Sequence, residues 1–179
     1  MTSTNETEFD PLVGESLRRR VGEYLEGSSA GRGIRIGIAC GRFNGGVTTR
    51  LLDAALDALE EVGVDRNDVA LAWVPGAFEI PIVAQAFATG PRAVDAVITL
   101  GAVIRGDTGH YEVVAGECAR GVQDVQLRTG VPVVFGVLTT NTVDQALERS
   151  LPDESNKGRE SALTAIEMVL LLRQGSLAR

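Results

Sequence analysis

The sequence predicts an α/β protein: a doubly wound, four-stranded parallel sheet with helices on both faces. Four short runs, Ile34–Ala39, Val69–Val74, Val94–Leu100 and Val131–Leu138, are apolar without polar alternation, the mark of strands covered on both sides. Between them the apolar residues recur at helical spacing, so strand and helix alternate along the chain. Aromatics are only 4% of the 179 residues, so the core must be packed from Val, Leu, Ile and Ala.

Each element follows in order. Residues 1–10 read as disordered, and residues 12–25 as a helix with Leu12, Leu17, Val21 and Leu25 on one stripe. Gly27–Gly33 reads as a flexible joint, which makes 1–31 an N-terminal extension, partly disordered or helical, and 32–179 the folded domain. The first strand leads through the loop GRFNGG (Gly41–Gly46) into a helix over Thr48–Gly63. Leu51, Leu52, Ala55, Leu56, Leu59 and Val62 form its apolar face and Gly63 stops it. The second strand leads through PGAFEIP (Pro75–Pro81) into a short helix over Ile82–Ala88. The third strand leads through a long glycine-rich loop, Gly101–His110, into a helix over Tyr111–Gly130. After the fourth strand come helices at Val143–Arg149 and Lys157–Arg173. The last helix carries Leu163, Ile166 and Met168 to Leu172, more apolar surface than one face needs, which suggests contact with another subunit.

The simplest right-handed arrangement is flavodoxin-like, with strand order 2-1-3-4. A ligand site then lies beyond the carboxyl ends of the strands, where the order switches between the first and the third. That sets Gly41–Gly46 beside Gly101–His110, with Pro75–Pro81 on the same edge.

Composition excludes several classes. A net charge of −7 and a pI near 4.8 argue against general nucleic-acid binding. Cys40 and Cys118 form neither a CxxC site nor a disulfide framework, and a single histidine makes a Cys/His metal cluster implausible. The N-terminus is polar and acidic rather than a signal peptide, and no apolar run reaches membrane-spanning length. The expectation is a cytoplasmic protein with no metal and no membrane partner.

The chain has one histidine, His110, and one lysine, Lys157, and both fall in unusual loops. GDTGH (Gly106–His110) opens a helix. Its backbone N–H groups and Thr108 can hold a phosphate while His110 moves protons, or Asp107 or Thr108 can simply cap the helix with His110 merely exposed. Phe43 in GRFNGG can stack on a planar ring with Asn44 hydrogen-bonding a ligand, or it can pack down as a lid on the core. GRFNGG is not GxGxxG, so a dinucleotide fingerprint is absent. Glu79 after Pro75-Gly76 can bind hydroxyls or favour a helix start, while Phe78 and Trp73 read as packing or interface residues. Arg149 ends a short helix, where a cation is at ease. Lys157 begins a long one, where it is not.

Taken in series, GRFN, AWVPGAFEIP, GAVIRGDTGHYE, PVVFGVLTTNT, QALER and NKG resemble the lumazine synthase family over residues 34–173. The resemblance implies the same sheet. It implies a condensation of 5-amino-6-(D-ribitylamino)uracil with 3,4-dihydroxy-2-butanone 4-phosphate to 6,7-dimethyl-8-ribityllumazine, with no cofactor or metal. It implies pentamers, and in some members decamers or 60-subunit capsids, with each site between neighbouring subunits. Carried over by position, Phe43 stacks on the pyrimidine, Asn44 and Ala77, Phe78 and Glu79 hold the ribityl chain and ring edge, and Ala102, Val103 and Ile104 hold the uracil. Asp107 and Thr108 meet the phosphate, and His110 transfers protons. Phe135, Arg149 and Lys157 come from the adjacent subunit, Arg149 onto the phosphate.

The chain departs from the family pattern in YEVVAGECARG, in the linker SLPDESNKG, and in its long extension with Arg18-Arg19-Arg20. Two other readings compete: the archaeal type of riboflavin synthase, which shares this fold, and a non-catalytic flavin-binding or shell protein. The complete GRFN, GAFEIP and GDTGH set favours the first reading over the related synthase. The presence of His110, Arg149 and Lys157 favours it over the shell protein.

Overall fold

Four parallel strands, β1 (Ile36–Gly41), β2 (Val69–Val74), β3 (Ala96–Ile104) and β4 (Val133–Thr140), form one sheet in the order β2-β1-β3-β4. These come from a computed structural model of the chain, which describes residues 9–178. The helices are α1 (Pro11–Arg18), α2 (Gly45–Glu61), α3 (Ile80–Thr89), α4 (His110–Thr129), α5 (Val143–Glu148) and α6 (Lys157–Leu172). The flavodoxin-like order expected from the sequence is the order observed.

Position in the sheet sets burial. The central strands β1 and β3 are buried almost throughout, while the edge strands β2 and β4 are only partly covered. On one face, Ile36, Ile38 and Cys40 of β1 and Ile98 and Leu100 of β3 pack with Leu51, Ala55 and Leu59 of α2 and Ala162, Ile166 and Val169 of α6. On the other, Ala39, Val97 and Val137 meet Ile80 and Ala84 of α3 and Cys118, Val122 and Val125 of α4. Each fully buried Ile or Leu side chain stabilises the fold by about 1.5–3 kcal/mol. Small residues let the layers close. A Cβ on Gly158 would lie 1.8 Å from the Leu51 carbonyl oxygen, so α6 crosses α2 there backbone against backbone. The helix stops are also glycine: Gly63 (φ 87°) follows α2 and Gly130 (φ 70°) ends α4, both left-handed.

The structure moves several boundaries. Strands 1, 3 and 4 begin at residues 36, 96 and 133, two beyond the starts of their apolar runs, and end at 41, 104 and 140. Ile34 and Val94 are core side chains that precede the ladder, because an apolar run reports burial rather than pairing. The largest correction concerns Gly101–Ile104, expected in a loop. These residues pair with Val137–Thr140 and lengthen the sheet toward the site. Helices α2 and α3 begin at 45 and 80, earlier than the pattern suggested, with Pro81 tolerated in the first turn of α3.

The first helix stops at Arg18 rather than residue 25. Pro11 and the Asp10 cap start it. It ends where the chain turns back at residues 19–22, setting Arg18 5.3 Å over the Tyr24 ring, so Val21 and Leu25 leave the stripe. The segment expected as a flexible joint is packed: Gly31 N–H donates to the Val62 carbonyl at 2.8 Å, and Gly27 lies against Glu167. Glu26 O and the Glu23 carboxylate accept from Gln174 and Ser176, tying residues 23–26 to the segment that follows α6. The disorder expected for residues 1–10 falls mostly on residues 1–8, outside the described residues. In α6, Ala165, Ile166 and Val169 are buried within this chain, and Leu163, Met168 and Leu170 to Leu172 are half-buried. Among the described residues no helix is long and apolar enough to cross a membrane.

Candidate active site

Three loops leave the carboxyl ends of β1, β2 and β3 and enclose one cavity of about 620 Å³. The first loop is fastened to the second by backbone: Arg42 N–H donates to the Val74 carbonyl at 2.8 Å and Phe43 N–H to the Pro75 carbonyl at 3.1 Å. Asn44, which caps α2, is the one non-glycine residue with positive φ among those described (φ 57°, ψ 42°). Asparagine tolerates that conformation better than most residues. Its amide donates to the Ala102 carbonyl at 2.9 Å, joining the first loop to β3.

This backbone leaves the Phe43 ring 72% exposed on the cavity wall, so it is not a lid on the core. Phe78, on the short 3-10 turn Ala77–Glu79 after β2, is likewise more than half exposed and lines the same space. The Glu79 carboxylate accepts from Gly76 N–H at 3.0 Å, which fixes that turn. One of its oxygens is therefore committed to its own loop. The floor is Ala102, Val103 and Ile104, delivered by the extension of β3 that the sequence reading placed in a loop.

The third side is the start of α4. His110 is the first helical residue, and the cap is Gly109, which has no side chain to offer. Thr108 Oγ1 accepts from His110 N–H only at 3.5 Å, and Asp107 makes no capping bond. The capping alternative for GDTGH is thus met in part, by the long Thr108 bond and an exposed His110 but not by Asp107, and the first turn of a 20-residue helix brings its partial positive charge beside the cavity. Thr108 and His110 line the cavity. Asn44 and Asp107 do not. Tyr111, Val113 and Val114 do as well, and nothing in the sequence singles them out as site residues beyond their place at the start of a helix that opens on a site.

Phe135, Arg149 and Lys157 are not brought to this cavity. They line a separate hollow of about 380 Å³ at the exposed edge of β4, against α6. Arg149 donates to the Gln145 carbonyl at 3.0 Å and lies 3.6 Å from Glu148. Lys157 pairs with Glu160, and its N–H donates to the Arg149 carbonyl at 3.0 Å. The turn between these cations hangs on Asn156, which is 1% exposed. Its amide donates to the Leu151 carbonyl and its oxygen accepts from Gly158 N–H, both at 2.8 Å. Asn156 therefore explains the asparagine of NKG as the cap of α6, a role the sequence reading missed.

Aromatic walls, a carboxylate, a strand floor and a helix start with a histidine mark an α/β protein with a candidate enzyme site at the carboxyl edge of the sheet. A family model for 6,7-dimethyl-8-ribityllumazine synthase matches residues 33–173. The chain belongs to that family, the lumazine synthases of riboflavin biosynthesis, which are transferases.

Proposed function

We propose that this chain condenses 5-amino-6-(D-ribitylamino)uracil with 3,4-dihydroxy-2-butanone 4-phosphate, releasing phosphate and water. The observation that carries the reading is the gathering of Phe43, Ala77–Glu79, Ala102–Ile104, Thr108 and His110 round one cavity. The pyrimidine stacks on exposed Phe43. The ribityl hydroxyls meet Glu79 and the backbone of its turn, and the uracil edge meets the carbonyls and amides of Ala102–Ile104. Asn44 supports this floor through Ala102, in keeping with its amide bond. Asp107 and Thr108 flank the phosphate, which the weakly capped start of α4 favours electrostatically.

An amine attacks the ketone and a first water leaves, phosphate is eliminated to leave an enol that becomes a carbonyl, and the second amine attacks that carbonyl and closes the ring with loss of a second water. Proton transfers near neutral pH suit the imidazole of His110, and holding two substrates together supplies much of the acceleration. The leaving phosphate calls for a cation. Among the described residues, none of the cavity-lining side chains is Lys or Arg. Arg149 and Lys157, with Phe135, wait in the second hollow. We assign that hollow to a neighbouring copy's site, so the enzyme works as a cytoplasmic homo-oligomer, a pentamer or an assembly of pentamers up to a 60-subunit capsid.

A turnover assay tests the reading. Purified protein is mixed with both substrates, and lumazine absorbance and phosphate release are followed against a protein-free control. Accelerated formation of both in equal amounts is expected. No acceleration from a folded oligomer rejects it and turns attention to lumazine itself as substrate.

A further inference from the structure

Five residues, Arg105–Gly109, carry the chain from β3 to α4. Gly106 and Gly109 have open space where a side chain would be, and the contact from His110 N–H to Thr108 is long at 3.5 Å. The side chains of Gly106–Gly109 therefore do little to fix where α4 begins. Arg105 is fastened on several sides. Its N–H donates to the Thr140 carbonyl at 2.9 Å, and its Nε donates to Asn141 Oδ1 at 3.0 Å, so it is held by the end of β4 and the turn that follows. Asn141 is itself fixed, its N–H donating to Gln145 Oε1 at 2.9 Å. From that anchor the guanidinium reaches across the loop. It lies 4.1 Å from the centre of the Tyr111 ring and bonds through Nη1 to the Glu112 carboxylate. Tyr111 and His110 are adjacent in the first turn of α4, and both line the cavity.

We propose that Arg105 is a positioning residue, which clamps Tyr111 and Glu112 to the turn after β4 and so sets the place of His110 in the site. The proposal rests on the reading of His110 as the proton carrier. The residue type matters. A planar guanidinium can stack on a ring and bond a carboxylate and an amide oxygen together, whereas an ammonium has neither the flat face nor the fork. The clamp is half exposed, so it adds little to global stability. Its effect is on placement, where displacing a catalytic group by a fraction of an ångström is costly.

Hydrogen exchange and turnover on the full chain test this together. The amides of Val114–Glu117 bond to carbonyls of the first turn of α4 and report its integrity. In Arg105→Ala they are expected to exchange about tenfold faster, with thermal stability close to wild type. Turnover kcat falls by about tenfold or more. KM for the ribitylaminouracil, held on the Phe43 side, moves far less. Arg105→Lys recovers little of either loss, and Tyr111→Phe, which keeps the ring beneath the guanidinium, loses less than Tyr111→Leu. Wild-type exchange in Arg105→Ala overturns the proposal, as does faster exchange with full kcat. A wild-type protein without turnover rejects the proposed function. The exchange result then still decides whether Arg105 positions the helix.

Discussion

The side-chain amide of Asn44 donates to the carbonyl of Ala102 across 58 positions of sequence, at 2.9 Å. One bond thus ties the loop that holds Phe43 to the strand end that floors the cavity. It comes from a residue in the left-handed conformation, where a Cβ-bearing side chain costs about 1–2 kcal/mol unless it compensates locally. Two variants separate the two roles. Asn44→Gly keeps the backbone conformation and loses the tie. Asn44→Ala loses both. Urea unfolding is expected to place Asn44→Ala about 1–2 kcal/mol below wild type and Asn44→Gly above Asn44→Ala. Equal losses would mean the left-handed turn contributes nothing.

Gly158 sets the distance between α2 and α6. Alanine there would bring a methyl group to 1.8 Å from the Leu51 carbonyl oxygen, and backbone on both sides must move. Overpacking of this kind costs about 1–3 kcal/mol and can cost more. Gly158→Ala is expected to lower the melting temperature by several degrees and to disturb Lys157 beside it. Unchanged stability by calorimetry would show that the helices slide apart freely.

Both thiols are buried, and desolvation pushes Cys40 and Cys118 up to about 12 from an ordinary 9.0. Thiolate is the reactive form, so neither cysteine is expected to react with a disulfide reagent at pH 8 until the protein is unfolded. The sign for stability follows. In the unfolded chain the thiols lose protons from about pH 9, while the folded protein keeps them, so folding weakens as pH rises from about 9 toward 12. Replacing both by serine or alanine should flatten that part of the stability profile. Rapid native labelling at pH 8 would contradict the burial.

The Arg105 clamp has an acid limit. The hydrogen bond from Arg105 holds the Glu112 carboxyl below its ordinary 4.5. A depressed carboxylate contributes above its ordinary value and loses its contribution as pH falls through the folded one. Protection of the α4 first turn is therefore expected to persist at pH 5 and to weaken only below about 4.5. In Glu112→Gln this acid step should be absent.

Removing His110 and removing Arg149 should differ in kind. Orientation survives in His110→Ala, so kcat is expected to fall by about a hundredfold and still exceed the protein-free rate. On the proposed reading Arg149→Ala loses a charge-assisted bond to the phosphate, and KM for the butanone phosphate should rise about tenfold. Steady-state kinetics with each substrate varied in turn distinguishes them. An unchanged KM removes Arg149 from the phosphate.

The strand order was legible because four apolar runs and three intervening helices leave few right-handed arrangements. The site loops were legible because GRFN, GAFEIP and GDTGH all follow strands. What stayed hidden has physical reasons. Gly101–Ile104 looks like a loop because Gly101 and Gly106 bracket it, yet pairing with Val137–Thr140 decides its state, and pairing partners are remote in sequence. Arg105 is one of many arginines, and only the fold brings Asn141, Tyr111 and Glu112 round it. Asn156 reads as part of a loop, and its burial in the α6 cap follows from the approach of α6 to α2. The early end of α1 at Arg18 reflects a turn that the apolar stripe of the sequence passes over.

The central claim is that one copy's cavity is completed by another copy's Phe135, Arg149 and Lys157. Complementation tests it most directly. One variant carries Phe43→Ala and His110→Ala, the other Arg149→Ala and Lys157→Ala, and the two are co-expressed in equal amounts. If sites form between copies, about one quarter of them pair two intact halves, and turnover rises well above that of either parent. A mixed assembly no more active than the average of its parents would contradict a shared site and leave all the catalytic groups to a single chain.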